Sequence, residues 1–375
     1  MYTAFSEKPI QVIAPDGTWH SKPVDVSENT LTAMYWDMVK ARMFDEKLVP
    51  VLRQGKTSFY SQSTGMEATQ IGLAHAMRPG HDWLWPYYRD QALVLALGVS
   101  MKHILAQFMG VTSDECKGRQ MPHHFSSKEH RVVSVSSSIA NQIAPATGMA
   151  MAQKYLGLDE ITVCTFGDGA TSEGDWHAGV NMAAVNEAPI LFVCENNQYA
   201  ISAGLSHQMR SKNVAIKGQG YGIPGYFVDG QDILAVFSVM QQAAEEVRSG
   251  KGPVLVECLT YRIGTHSSAD DDSRYRPREE VDLWRNRDPI TRFERFLERQ
   301  GLMPTGEIEE RKNAIRAELD LAVSELESED GPLWDTMFED VYSDFPVHLQ
   351  EQYKGLEREH TTRTPNELAT TQGGR

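Results

Sequence analysis

Between Ile161 and Tyr261 the chain alternates two kinds of segment, and this restricts the fold more than any other feature of the sequence. ITVCTF (161–166) is a short apolar run with strand character. GDWHAGVNMAAVNEA (174–188) has helical spacing, and ILFVCEN (190–196) is a second apolar run. After a loop come GYFVD (225–229), the helical ILAVFSVMQQAAEEVRSG and then PVLVECLTY (253–261). Strands joined through helices predict an α/β fold, with a parallel sheet and helices on its faces.

The flanking segments are read against that centre. Residues 1–27 are polar, carry Pro9, Pro15 and Pro23, and predict an extended N-terminal arm. Helical periodicity runs over about 28–54 and again over MEATQIGLAHAM (66–77). WLWP (83–86) reads as a strand, followed by the helical LVLALGVSMKHILAQF (93–108). Residues 116–138 read as loop, and 139–157 as a buried helix of small residues. Past Tyr261 the chain becomes charged, with helices near 288–300 and 306–328, and it ends in a polar, Gly-terminated tail. The expected organisation is an arm over 1–27, an α/β domain over 28–285, a helical C-terminal region over 286–354 and a mobile tail over 355–375.

The formal net charge of −15 argues against nucleic acid as a partner, since phosphate binding needs a basic surface. The four cysteines, Cys116, Cys164, Cys194 and Cys258, form no CxxC pair, and three lie in strand-like runs. Reduced core thiols suit a cytoplasmic enzyme. MYTAFSEKPI lacks a signal-peptide pattern, and no apolar run approaches the roughly 20 residues of a membrane span, so no membrane role is expected.

Asp168 poses the chemical question. It stands between Gly167 and Gly169 at the end of an apolar strand, where an uncompensated carboxylate is costly. The next strand ends in ENNQYAIS, 26 residues beyond Gly169 (170–195), enough for a turn, a helix and a strand. Asp168 and an asparagine of that pair can therefore converge beyond the carboxyl ends of parallel strands, where such sheets bind ligands. A carboxylate, an amide oxygen and a backbone carbonyl are hard ligands that suit Mg²⁺ carrying phosphate oxygens. The glycines admit a diphosphate close to the backbone, and the next helix offers its N-terminus. Strand–GDG–helix–strand–NN resembles the signature motif of thiamine diphosphate enzymes. Two other phosphate motifs fail. Gly55-Lys56-Thr57 has Pro50 where a P-loop needs glycine, and GDGATSEG has Ser172 where a dinucleotide fingerprint needs its third glycine. Asp270, Asp271 and Asp272 lack an EF-hand spacing and read as a solvated loop.

Four stretches carry a wider resemblance: KGRQMPHHF (117–125), SVSSSIANQ (134–142), the run from Gly167 to Ser202, and YRIGTHSSADDDSRYR (261–276). Together they resemble the alpha subunit of the branched-chain 2-oxoacid dehydrogenases, the thiamine diphosphate-dependent decarboxylating component of a multienzyme complex, over about residues 30–345. The pyruvate dehydrogenase alpha subunit shares the GDG…NN motif but is less similar around KGRQMP. The resemblance implies oxidative decarboxylation of a 2-oxoacid such as 3-methyl-2-oxobutanoate. The acyl group then passes to the lipoyl group of an acyltransferase component. It also implies a beta subunit in an α₂β₂ heterotetramer, which supplies the glutamate that activates the aminopyrimidine ring. Alternative readings are a pyruvate or acetoin dehydrogenase alpha subunit and a non-catalytic regulatory or scaffold subunit.

Residue roles follow from the same resemblance. Asp168, Asn197 and the carbonyl of Tyr199 would ligate Mg²⁺. Tyr88 and Arg89 match the pair at the diphosphate, and Gly167, Gly169, Ala170 and Ile201 complete the cofactor site. Ser137 and Ile139 match the segment on the aminopyrimidine, and His266 the histidine at the reaction centre. Some relatives hold potassium in the 134–142 segment; Ser138 and Asn141 depart from their pattern and leave that ion open. Where some relatives place a diphosphate-binding arginine, this chain has Glu195, so that contact is not carried over. Arg119 and His124 are candidates for the active-site rim, and Phe59 and Tyr60 for an apolar substrate pocket. Ser267 occupies a position that mitochondrial relatives phosphorylate; a phosphate there would add charge beside a diphosphate site and the three aspartates.

Overall fold

The computed structural model describes residues 1–21, 24–303 and 306–362. Its centre is a five-stranded parallel sheet. In chain order the strands are β1 (Trp83–Trp85), β2 (Thr162–Gly167) and β3 (Ile190–Asn196), then a small antiparallel hairpin, β4 (Tyr199–Ala200) and β5 (Ala203–Gly204), and finally β6 (Gly225–Asp229) and β7 (Val254–Leu259). The spatial order is β1-β2-β3-β7-β6. β3 is buried along its whole length, as expected of a strand covered on both faces.

Helices α1 (Glu28–Arg53), α2 (Glu67–Ala76), α3 (Gln91–Ala96) and α4 (Met101–Met109) precede β2, with α5 (Ile143–Leu156) directly before it. Ser27 caps α1 by accepting from Thr30 N at 3.2 Å. The run read as one helix over 93–108 is two, because Gly98 adopts φ +106° and Ser100 caps α4. α6 (Gly174–Val185) crosses from β2 to β3, the short α7 (Leu205–Gln208) follows the hairpin, and α8 (Ile233–Arg248) joins β6 to β7. α5 packs closely on α6: a Cβ on Gly179 would meet Ile143 Cγ2 at 2.7 Å.

α9 (Arg278–Arg285), α10 (Pro289–Gln300) and α11 (Ile308–Glu327) follow the last strand. α10 and α11 are not set apart from the α/β region, since Phe293, Phe296, Leu319 and Leu326 share one hydrophobic core with Met34, Met38 and Phe44 of α1. α12 (Val347–Thr362) extends into the expected tail, so residues 355–362 are helical; 363–375 lie outside the described residues, as does Pro23 of the arm.

The N-terminal arm completes the sheet. Ile10 forms a parallel bridge with Val228, covering the edge of β6. Val12 N and Ile13 N donate to Asp232 Oδ2 at 2.7 and 2.8 Å, and both side chains are buried. Arg292 of α10 reaches the same corner, pairing with Asp229 at 2.8 Å and Asp232 at 3.3 Å. Among the described residues no helix is long and apolar enough to cross a membrane.

Candidate active site

Register places the site. Gly167 of β2 pairs with Glu195 of β3, so Asp168 and Asn196 leave the sheet side by side at its carboxyl edge. Above this edge lies a cavity of about 530 Å³. Its wall contains Phe59, Tyr88, His124, Ser137, Ile139, Gly167, Asp168, Gly169, Ala170, Asn197, Tyr199, Ile201 and His266, together with Tyr87, Ser138, Ala200 and Arg262. Ile139 and Ile201 are exposed.

Asp168 is 1% exposed. Its Oδ2 accepts from Gln208 Nε2 at 2.8 Å, while Oδ1 is buried with no partner among the described residues. Burial raises its pKa, and the Gln208 bond acts against that shift. A Cβ on Gly169 would lie 2.7 Å from Ala200 Cβ, so only glycine lets this turn pack against the hairpin.

The two asparagines have different surroundings. Asn196 donates to Glu257 Oε1 at 2.7 Å and accepts from Gln198 N at 3.0 Å, away from the cavity. Asn197 lines the cavity, and its Oδ1 accepts from Tyr199 N at 3.2 Å. The loop turns sharply here, with Gln198 and Ile201 at φ +73° and +53°.

Arg262 Nη1 donates to His266 Nδ1 at 3.3 Å, which leaves the neutral ring's proton on Nε2. Burial, Arg89 and Arg262 lower the imidazole pKa to about 4. Arg262 also donates to the carbonyl of Ile201 and to the Tyr275 hydroxyl, and Asp270 Oδ2 accepts from His266 N at 2.8 Å, so the loop beyond β7 is held at both ends. Arg89 lies behind this wall rather than in it, spanning Gln62 O at 2.8 Å and His266 O at 3.1 Å, with Nε unpartnered among the described residues. Ser267 is half-buried and outside the cavity lining. In the three-aspartate run, Asp272 pairs with Arg276 and Asp271 caps Ser273; among the described residues no cluster is suited to hold a metal through three or more His, Cys, Asp or Glu side chains.

His124 donates from Nδ1 to the carbonyls of Met121 and Pro122, both at 3.0 Å, so its Nε2 accepts the Ser137 hydroxyl at 2.5 Å. Two rim and pocket candidates lie elsewhere. Tyr60 is buried, bonds Asp45 and stacks on His123 with ring centroids 5.0 Å apart, so it belongs to the core. Arg119 lines a separate groove of about 700 Å³, where its charge is matched by Asp340 at 3.1 Å.

Glu195 faces the other side of β3. Gln70 Nε2 and the Tyr87 hydroxyl donate to its Oε2 at 2.9 and 3.1 Å. Burial and the neighbouring Glu195 raise the Asp90 pKa well above its ordinary value. Glu195 therefore braces Tyr87, which lines the cavity.

Sequence reasoning missed Arg262 and Gln208. Arg262 stands inside YRIGTHSS, four residues before His266, and an arginine so close to a candidate catalytic histidine was a usable signal. Gln208 lies six residues beyond Ser202, the end of ENNQYAIS, and carries no local motif.

Asp168 with its free buried oxygen, Asn197 at the adjacent strand end and the neutral imidazole of His266 thus line one cavity at the carboxyl edge of a parallel sheet. The chain belongs to the dehydrogenase E1 component family, which residues 35–333 match. Membership implies dependence on thiamine diphosphate. Within that family the chain is 40% identical over 334 residues to the mitochondrial 2-oxoisovalerate dehydrogenase subunit alpha 2 of Arabidopsis thaliana, covering 89% of this chain and 71% of that one. It is 41% identical over 278 residues to the 2-oxoisovalerate dehydrogenase subunit alpha of Bacillus subtilis, covering 74% and 84%. It is 40% identical over 362 residues to the 3-methyl-2-oxobutanoate dehydrogenase subunit alpha of Mycobacterium tuberculosis, covering 94% of each.

Proposed function

We propose that this chain is the alpha subunit of a branched-chain 2-oxoacid dehydrogenase, acting on 3-methyl-2-oxobutanoate and its homologues. The unpartnered Oδ1 of buried Asp168 carries the reading, because it is a carboxylate position that a cation would complete. The donor set of Asp168, Asn197 and the Tyr199 carbonyl consists of hard oxygens and fits Mg²⁺ bound to a diphosphate. Tyr88 and Arg262, which line the cavity, would meet the diphosphate, with Arg89 bracing the wall behind them. Arginine suits that task through its planar fork of donors.

Thiamine diphosphate, when bound, supplies the electron sink for decarboxylation. His266, neutral at pH 7 and held by Arg262, would move a proton at Nε2. The Ser137–His124 bond fixes the segment carrying Ile139, which lies along the cavity wall. Phe59 supplies an apolar surface toward the substrate.

A beta subunit would close the cavity and supply the carboxylate that activates the aminopyrimidine, giving an α₂β₂ assembly. The acyl group would then pass to the lipoyl group of an acyltransferase component. The names of the relatives, each a subunit alpha, support a partnered assembly. Four free cysteines fit a cytoplasmic, reducing setting.

The test is decarboxylation by the chain co-expressed with its beta subunit, with thiamine diphosphate and Mg²⁺. 3-Methyl-2-oxobutanoate, 4-methyl-2-oxopentanoate and pyruvate are compared by kcat/KM. A branched-chain preference of roughly tenfold or more is expected, the scale on which pocket size discriminates. A preference for pyruvate would overturn the substrate assignment, and turnover by the alpha chain alone would overturn the shared site.

A further inference from the structure

We infer that Gln208 is a positioning residue that holds Asp168 for the cation, an inference that rests on the functional reading above. Gln208 ends α7, just past the β4–β5 hairpin. Its Nε2 donates to Asp168 Oδ2 and to Ala203 O, each at 2.8 Å. One amide thereby ties the turn after β2 to the hairpin after β3. Those two segments carry all three candidate ligands, Asp168 on one side and Asn197 and Tyr199 on the other.

The tie decides which carboxylate oxygen is available. Gln208 is the side chain that bonds Asp168 among the described residues, and it engages Oδ2, leaving Oδ1 unpartnered. Gln208 Oε1 is itself buried without a partner among the described residues, 3.9 Å from where a Cβ on Gly169 would lie. Two unsatisfied acceptors, one from each residue, thus flank a single turn. Acceptors in that state call for a cation or for donors brought by its water ligands. A neutral amide suits the position: its Nε2 donates to the carboxylate without bringing a further charge to the site, as partners of ligating carboxylates generally donate hydrogen bonds to them.

The test uses the chain assembled with its beta subunit and saturating thiamine diphosphate. Mn²⁺ is the probe, and free Mn²⁺ is read by electron paramagnetic resonance. Gln208→Met keeps the length of the side chain and removes both bonds; Gln208→Asn keeps the amide and loses its reach. Both variants are expected to weaken Mn²⁺ binding by about 10–100-fold, with full occupancy recovered at high Mn²⁺. Wild-type Mn²⁺ affinity in both variants, alongside loss of binding in Asp168→Ala, would overturn the role of Gln208 and leave the functional reading standing. Weakened binding that high Mn²⁺ does not restore would also overturn it, since the residue would then serve the fold alone. Undiminished Mn²⁺ binding by Asp168→Ala would instead overturn the functional reading beneath it.

Discussion

Gly167 and Glu195 are paired in register across two parallel strands, and from that pairing the candidate site follows. Each strand ends within a residue or two of the other. Asp168 and the asparagine pair therefore emerge together at one edge, although 26 residues (170–195) separate Gly169 from Asn196. The sheet supplies the convergence, and the loops decide which groups turn toward the cavity.

The two asparagines should separate in mutagenesis. Asn196 bonds Glu257 and Gln198 inside the protein, so Asn196→Ala should lower stability by about 1–3 kcal/mol, the cost of leaving a buried partner unsatisfied. Asn197→Ala loses only the 3.2 Å bond from Tyr199 N among the described residues, so it should cost less stability than Asn196→Ala and should weaken metal-dependent cofactor binding. Urea denaturation and cofactor titration on both variants check this.

Asp168 should cost stability in the cofactor-free chain. Its Oδ1 has no partner among the described residues, and burial raises its pKa. Asp168→Asn keeps the shape and removes the charge. The variant should melt higher than wild type without cofactor, by an amount equivalent to about 1 kcal/mol, and lose the stabilisation that Mg²⁺ and thiamine diphosphate give the wild type. Thermal unfolding with and without ligands measures both halves.

His266 should not titrate near 6.5. Its pKa in the fold is about 4, pressed down by burial and two arginines. The unfolded chain therefore binds more protons than the folded one between these values, and stability rises with pH across that window. Protonation of His266 should be lost on raising the pH through about 4, as NMR of the ring protons in the cofactor-free chain can show. His266→Gln should flatten that part of the stability profile.

The N-terminal arm should be part of the folded unit. Removing residues 1–13 strips the Ile10 bridge from β6 and takes both backbone donors from Asp232. The truncated chain should lose several kcal/mol, since a buried carboxylate would be left short of its partners, and should self-associate through the opened edge. Chemical denaturation and size-exclusion chromatography provide the readout.

Much of this was legible in the sequence, for physical reasons. The runs that became β2, β3 and β7 are apolar because helices cover both faces, and the 28–54 and 233–248 helices show their buried stripes directly. GDG and NN were readable because spacing alone brings strand ends together. What escaped depends on tertiary direction. Spacing left open which asparagine faces the cavity; the resemblance pointed to Asn197, and the physical reason, the bond of Asn196 to Glu257 on β7, lies far away in sequence. Tyr60 looks like a pocket aromatic until Asp45 and His123 claim it. The arm reads as polar chain, yet its Val12 and Ile13 are wholly buried through bonds to Asp232. Gln208 acts by reach across a hairpin, which no local pattern records.

Asp168 and Asn197 are expected to hold a metal–diphosphate pair between β2 and β3. Isothermal titration of thiamine diphosphate into the assembled protein, with Mg²⁺ and then with a chelator, tests it most directly. Binding should require Mg²⁺, should fail for thiamine lacking the diphosphate, and should vanish in Asp168→Ala. Equal binding in the presence of chelator, or undiminished binding by Asp168→Ala, would rule out a metal–diphosphate site at these residues.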